Sequence, residues 1–210
     1  MTSVRVLILA FALPPAASAW AQGTCPPGIP DSVFCGERNV QHATAGTYAV
    51  DPDHAAVLAR VSHVGYSYSV FRFDRVAGAL DWDPAKAEAS KLTASVKVES
   101  ITSNVKDFAS MLAGPQFLKA PEFPEASFVS TAFRPADPTS GKVDGNLTLM
   151  GKTVPVTFDV VLVGAGKGFG GSPRMGVTAR AWIKPADFGM PPVFDRPIEI
   201  VVDAEFARKP

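Results

Sequence analysis

The sequence lacks any run or stripe of basic residues. Its 20 Lys and Arg are balanced by 20 Asp and Glu, so the formal net charge is zero. Binding to a phosphate backbone requires concentrated positive charge, and we therefore expect no nucleic-acid partner. Beyond residue 21 no apolar stretch approaches the roughly 20 residues that cross a bilayer, so we also expect no stable membrane insertion.

The sequence is equally poor in the motifs of catalytic and metal centres. It contains no G-x-S-x-G, H-E-x-x-H or C-x-x-C pattern. If one regular strand carried both His54 and His63, they would point to opposite faces, roughly 30 Å apart. We predict no metal site and no cofactor. His63 is either a strand-end residue or a polar contact for the head group of a ligand.

There are only two cysteines, Cys25 and Cys35. In an exported chain such a pair is expected to form a disulfide, which would stabilise by roughly 3 kcal/mol in the chain-entropy model. An alternative is that Cys25 is the acylated residue of a lipoprotein. The preceding residues, Gln22 to Thr24, do not match the usual pattern of such a site. Two cysteines alone cannot complete a closed zinc site.

The first 21 residues have the pattern of a secretory signal peptide. Arg5 supplies the positive charge, Val6 to Leu13 form a short apolar region, and Ala17 to Ala21 contain two overlapping A-x-A cleavage sites. A buried terminal strand or helix is the alternative. We expect cleavage before Trp20 or Gln22, and a periplasmic mature protein.

The rest of the chain divides into two parts. Residues 22–45 are rich in Gly and Pro without periodicity and predict an extended segment, while residues 46–210 predict one barrel-sized domain. In the second part apolar and polar residues alternate, which is typical of antiparallel strands with one buried face. The clearest segments are 57–61, 96–98, 143–149, 154–162, 177–183 and 198–206. About eight such strands indicate an all-β barrel or sandwich. Gly164 to Pro173, with five glycines, predicts a flexible loop.

One segment has helical instead of strand periodicity. Asn104 is expected to cap a helix over residues 105–113, with Asp107 at its third position and Gly114 just beyond its end. This spacing places five apolar residues on one face: Val105, Phe108, Ala109, Met111 and Leu112. We expect that face to turn inward and to bury Met111 and Leu112.

Several motifs, in this order, resemble those of the YceI-like family over about residues 48–206. They are Tyr48-Ala49-Val50-Asp51 with His54, His63-Val64-Gly65-Tyr66-Ser67, Ser100-Ile101-Thr102-Ser103, Phe123-Pro124 with Phe128 and Ser130, Gly145-Asn146-Leu147-Thr148 with Gly151, Thr153 and Val156, and Asp187-Phe188-Gly189-Met190. The resemblance implies a lipocalin-like, antiparallel, eight-stranded β-barrel with one short helix. It also implies a periplasmic protein that binds a polyisoprenoid or another lipid.

The chain departs from the family's pattern at two places. The family usually has a polar R-D-x-H-L run in its helix, where this chain has Phe108, Ala109, Met111 and Leu112. It often has Gly in the third strand where this chain has Phe71. A role of the polar helix residues in contacting a head group therefore cannot be transferred, and a different ligand is an open alternative.

The inward faces mix small residues with large ones, which leaves room for a ligand inside an eight-stranded barrel. A fully packed core is the alternative. We expect the cavity to be lined by His63, Phe71, Phe73, Met111, Leu112, Phe117, Phe128, Leu147, Phe158 and Ala179. The favoured function is non-catalytic binding, transport or sequestration of an isoprenoid, a quinone or a fatty-acid derivative. An enzyme acting on such a molecule and a purely structural module are the alternatives. The oligomeric state stays open, a homodimer included.

Overall fold

A computed structural model describes Cys25, residues 27–30 and residues 34–209. The predicted signal peptide and both of its cleavage sites lie outside the described residues. Cys25 and Cys35 form the predicted disulfide, which leaves Cys25 no thiol for acylation. Within the described ranges, no helix is long and apolar enough to cross a membrane.

The described chain forms one antiparallel sheet that closes into a barrel. Its strands are β1 (Gly46–His63), β2 (Ser67–Phe73), β3 (Val76–Trp82), β4 (Lys91–Lys97), β5 (Ile101–Thr102), β6 (Glu125–Asp137), β7 (Ser140–Leu149), β8 (Lys152–Lys167), β9 (Pro173–Ile183) and β10 (Ile198–Arg208). The pairing of β1 with β10 closes the ring. An α-helix, α1 (Phe108–Ala113), lies between β5 and β6. Short 3-10 turns occupy Val40–His42, Pro84–Ala89, Val98–Ser100, Phe169–Gly171 and Pro185–Phe188.

The ten strand segments make eight strands of barrel wall, as predicted. Segments β3 and β2 follow one another along the same side of β1. In the same way β4 pairs with β3 and β5 with β2, and only the turn Val98–Ser100 separates β4 from β5. Segments β2 and β3 together therefore act as one bent strand of the wall, and so do β4 and β5.

The alternation in sequence corresponds to the inside and outside of the barrel. In β8, Val156 and Phe158 are buried while Thr157 and Asp159 are exposed. A bulge between Leu162 and Gly164 shifts the register near the end of this strand. The β7–β8 hairpin has a two-residue turn at Met150 and Gly151, both with positive φ (51° and 72°). Two left-handed residues match the right-handed twist of the flanking strands.

The glycine-rich stretch is only in part the loop that we predicted, because β8 continues to Lys167 and the connection to β9 is confined to residues 168–172. Gly170 and Gly171 supply positive φ in that connection, whereas Gly164 serves close packing. A Cβ atom on Gly164 would lie 3.1 Å from the carbonyl carbon of Gly36, so only glycine lets the N-terminal segment approach. Glu37 then exchanges two backbone hydrogen bonds with Ala165, at 2.9 and 2.8 Å.

The helix is shorter than predicted and begins later. Asn104 does not cap it, because Asp107 has left-handed backbone angles (φ 60°) and cannot lie inside a helix. The inward face consists of Phe108, Ala109, Leu112 and Ala113. One residue advances about 100° around a helix, so Met111 points away from that face. Met111 is 47% exposed and Leu112 only 4%, so our prediction is wrong for Met111 and correct for Leu112.

The N-terminal segment returns to the barrel just before β1. The buried Tyr48 donates its hydroxyl to the carbonyl of Thr44 (2.6 Å), and the Trp82 indole donates to the carbonyl of Ala43 (2.9 Å). These two bonds fix the turn Val40–His42 beside the barrel end opposite α1. Part of the segment that we predicted to be extended thereby becomes part of the site.

Candidate functional site

The barrel interior contains two chambers. The first, the capped chamber, has a volume of about 170 Å³ and is lined by inward residues of the strands together with Leu112, Phe117, Leu118, Met190 and Phe194. Among the residues that the structure describes, Ser95 and Ser127 are the only polar ones in this lining, and none of the lining residues is titratable. An eight-stranded barrel has room for side chains or one small ligand, and here part of that room is empty and apolar.

Aromatic contacts close the far end of the capped chamber. The ring of Phe108 in α1 lies 5.8 Å from that of Phe71, centroid to centroid. The rings of Phe117 and Phe194 meet edge to face at 6.0 Å. The segments on both sides of α1 and before β10 thus pack over the barrel end. Phe108, Ala109 and Leu112, which stand where the family usually has polar helix residues, are part of this cap, whereas Met111 is not.

The second chamber, the rim chamber, is larger, at about 560 Å³. Its walls include Leu92, Phe133, Met175, Val177 and Phe206. Polar groups gather at its margin, namely Gln41, Glu88, Arg134, Asp137, Thr139, Ser140 and Lys142, together with the indole of Trp82. One half of the interior is therefore lined almost entirely by apolar groups, and the other half is bordered by groups that can meet a polar head group.

Both cations at the margin already have partners. Arg134 donates to both carboxylate oxygens of Asp144, at 2.6 and 2.7 Å, and Lys142 forms an ion pair with Asp159. The hydrogen bonds from Arg134 and then Thr157 lower the pKa of Asp144 to about 2. The bidentate pair is therefore ionised throughout the neutral range. A ligand with an anionic head group would have to compete with these carboxylates.

Five residues line both chambers and mark the place where they meet: Val76, Ala94, Phe128, Phe158 and Val202. We call this ring of residues the waist. The rings of Phe128 and Phe158 are in edge-to-face contact there, with centroids 5.1 Å apart and an interplanar angle of 80°. The waist joins an apolar compartment to a polar-rimmed one.

Most of the predicted site residues come together in the interior. The capped chamber is lined by Phe71, Phe73, Leu112, Phe117 and Leu147, the rim chamber by Ala179, and both by Phe128 and Phe158.

The predictions that His63 and Met111 line the cavity are wrong. His63 continues the inward register of β1 but lies one step past Val61, the last residue of that strand that lines a chamber, and it is exposed. Met111 points outward because the face of α1 that packs on the barrel consists of Phe108, Ala109, Leu112 and Ala113, and Met111 lies outside it.

Several lining residues were not predicted. Met175 and Val177 share the strand face of Ala179, so strict alternation along β9 could have identified them. Met190 and Phe194 lie in an aperiodic stretch before β10. Phe194 packs against Phe117, which follows α1, and Met190 packs in the cluster around Phe188, and no local pattern reveals either contact.

One cluster outside the chambers has the composition of a metal site. Ligand atoms of Asp51, His54 and Glu205 lie within 4.8 Å of one another. However, the Arg174 guanidinium lies among them, donating to Asp51 at 2.5 Å and to Glu205 at 2.6 Å. The cluster is thus already balanced by a resident cation, and it joins the bulge of β1 to β9 and β10.

Comparison with known proteins agrees with this architecture. The model of the YceI-like domain matches residues 48–206. A UPF0312 protein of Pseudomonas putida (strain W619) is 39% identical over 150 residues, which cover 70% of this chain and 78% of that protein. A YceI protein of Campylobacter jejuni has a similar structure, with a TM-score of 0.64 and 25% identity over 71% of this chain and 91% of the other.

A more distant structure shares the fold alone. It is a polyisoprenoid binding domain from Saccharophagus degradans, with a TM-score of 0.56 and 12% identity over 77% of this chain and 98% of the other. The sequence motifs, the closed eight-stranded barrel and the domain match agree, and the chain belongs to the family of proteins with a YceI-like domain.

Proposed function

We propose that this protein binds one amphiphilic, largely apolar molecule inside its barrel and carries or sequesters it in the periplasm. The observation that supports this most is the pair of adjoining chambers, with walls that are almost entirely apolar. Each buried methylene contributes about 0.8 kcal/mol. About ten buried carbons would therefore offset much of the cost of association.

The polarity of the two chambers favours one orientation of the ligand. The tail lies in the capped chamber, because that chamber offers no partner for a charged group. The head group lies at the margin of the rim chamber, close to Trp82 and Ser140. Because Arg134 and Lys142 are already paired, an uncharged head group, such as that of an isoprenol or a quinone, fits better than an anionic one.

The positions of the titratable residues around the chambers favour binding over catalysis. Catalysis by side chains needs titratable groups that converge on the reacting atoms. The titratable residues of the rim chamber are at its margin, and Arg134, Asp137 and Lys142 are held there by neighbouring polar groups. The polyisoprenoid binding of the Saccharophagus degradans domain supports the same ligand class.

Native mass spectrometry of protein purified from the periplasm tests the proposal. We expect an additional mass equal to one isoprenoid, quinone or fatty-acid derivative, released by organic solvent. Returning that lipid should raise the melting temperature, since a hundredfold excess over the dissociation constant stabilises by about 2.7 kcal/mol. The absence of any bound lipid, together with no thermal shift from all three lipid classes, would contradict it.

Export can be tested on the same preparation. N-terminal sequencing should find Trp20 or Gln22 as the first residue, because either follows an A-x-A site. Thiol titration under denaturing conditions should find no free cysteine. Retention of Met1 in fractionated cells would contradict the periplasmic location without affecting the ligand-binding proposal.

A further inference from the structure

At the waist, the ring of Phe128 occupies space that is available only because residue 145 is a glycine without a Cβ atom. A Cβ atom on Gly145 would lie 2.3 Å from Cζ and 2.7 Å from Cε2 of Phe128. Contacts this short are not tolerated between carbon atoms. The ring therefore lies directly against the backbone of β7, on the wall of the barrel.

A second contact holds the ring in that position. Phe158 meets Phe128 edge to face, with centroids 5.1 Å apart. Phe128 is thus confined between the backbone of Gly145 and the ring of Phe158, while Ala94 lies beside it on β4. The residue opposite Phe128 on β4 is the small Ala94, and on β7 the ring extends over Gly145, so the remaining width of the waist depends on Phe128 staying flat.

We propose that Phe128 determines which chain lengths the barrel accepts, and that Gly145 is the positioning residue that keeps the passage open. The inference rests on the proposed function. A short tail can be contained in one chamber, whereas a longer tail must pass the waist to use both. Each methylene that passes the waist into the capped chamber strengthens binding about fourfold, so access through the waist dominates the affinity of long ligands.

A methyl group at position 145 should force the Phe128 ring off the wall and into the passage. We expect Gly145→Ala to bind short isoprenoids normally and long ones weakly. Gly176→Ala is the matched control, because its new Cβ would meet its nearest neighbour, Cγ of Glu205, at an ordinary 3.7 Å. Gly176 lines neither chamber.

The test is calorimetric titration of delipidated protein with geraniol, farnesol and geranylgeraniol, which share a head group and differ by one isoprene unit each. In the wild type and in Gly176→Ala, affinity should rise along the series. In Gly145→Ala, geraniol should bind within about twofold of the wild type and geranylgeraniol at least about tenfold more weakly, since exclusion of two methylenes already exceeds that factor.

The Cβ atom would also approach the carbonyl oxygen of Val129 at 2.5 Å, so Gly145→Ala could fail to fold. Ala94→Leu narrows the same waist from β4 and should give the same loss for the longest isoprenol. Phe128→Leu widens the waist and should leave geranylgeraniol binding at least as tight as in the wild type.

Parallel length profiles in the wild type and the folded narrowing variants would overturn the inference while leaving the binding function intact. Weaker geranylgeraniol binding by Phe128→Leu would overturn it as well. If the wild type binds none of the three isoprenols, the inference is overturned, whereas the proposed function fails only if quinones and fatty-acid derivatives are not bound either.

Discussion

The two ends of the barrel are covered by different kinds of side chain. At the capped end, α1 and the segment before β10 cover the interior with apolar side chains, and Leu112 is only 4% exposed. At the rim end, the cover includes the turn Val40–His42, and polar side chains surround a larger chamber. The capped end behaves as a core, whereas the rim end behaves as an entrance.

The difference shows how one sheet can provide both stability and a binding site. Around Phe188 and Ala181 the interior is filled, and such regions contribute most of the free energy of folding. Beside Ala179, on the same face of the same strand, the interior is open. Substitutions should therefore have large effects on stability near the cap, and larger effects on binding near the rim.

The largest expected effect is at the cap. Leu112→Asp should destabilise the protein by about 3 kcal/mol or more, because it either buries an unpaired carboxylate or undocks the helix. Met111→Asp, one position away and 47% exposed, is the matched control and should cost less than about 1 kcal/mol. Denaturant titration measures both. Equal midpoints for the two variants would show that α1 does not pack as described.

Substitutions at two alanines of β9 distinguish a filled part of the barrel interior from an open one. Ala181 is 1% exposed and lines neither chamber, so Ala181→Phe should overpack the core and cost about 1–3 kcal/mol. Ala179 borders the rim chamber, so Ala179→Phe should cost less than about 1 kcal/mol and abolish lipid uptake.

Thermal melts with and without extracted lipid distinguish the two variants. Ala181→Phe should melt early and retain a lipid-induced shift. Ala179→Phe should melt near the wild type without that shift. An equally large destabilisation by both substitutions would indicate a packed interior at both positions.

A smaller effect is expected beside the rim chamber. Ser90 is buried after the turn Pro84–Ala89, and its hydroxyl has no hydrogen-bond partner among the described residues. Ser90→Ala should be neutral or stabilise by up to about 1 kcal/mol, because it removes a buried polar group. A loss of stability, measured by chemical denaturation, would reveal a polar partner for this hydroxyl.

The smallest effect concerns the Asp51 cluster, outside the chambers. Partial burial opposes ionisation of Asp51, but hydrogen bonds from His54, Arg174 and the Asp53 amide outweigh it and lower the pKa of Asp51. The hydrogen bond and the charge of Asp51, followed by the charge of Glu205, raise the pKa of His54. The two groups therefore stabilise the fold in different pH windows.

The pH range in which each group stabilises the fold follows from the direction of its pKa shift. Asp51 stabilises above about pH 4, and this contribution is lost as the pH falls through its lowered pKa. His54 stabilises below about pH 6.5, and this contribution is lost as the pH rises through its raised pKa. Melting temperatures of the wild type and His54→Asn should differ near pH 5 and converge by about pH 8. A difference that grows with pH would contradict the assigned pair.

Much of the fold could be predicted because it depends on local patterns. The alternation of Val156, Thr157 and Phe158 determines which side chains of β8 face the barrel interior. Met150 and Gly151 form the hairpin turn that precedes this strand. The glycines after Leu162 misled the prediction, since they permit both a flexible loop and the close approach of another segment. Only the position of Gly36 distinguishes the two.

Periodicity and composition were enough to predict antiparallel strands, the disulfide and an apolar interior, and the motifs added the family and its barrel. The tertiary structure alone decided how the interior is divided. The contact of Gly145 with Phe128, the outward turn of Met111 and the paired state of Arg134 all depend on residues from different strands or turns. Periodicity predicts which face of a strand a side chain occupies. It does not predict which residue lies opposite that side chain across the barrel, and the opposite residue decides whether the interior is filled or open.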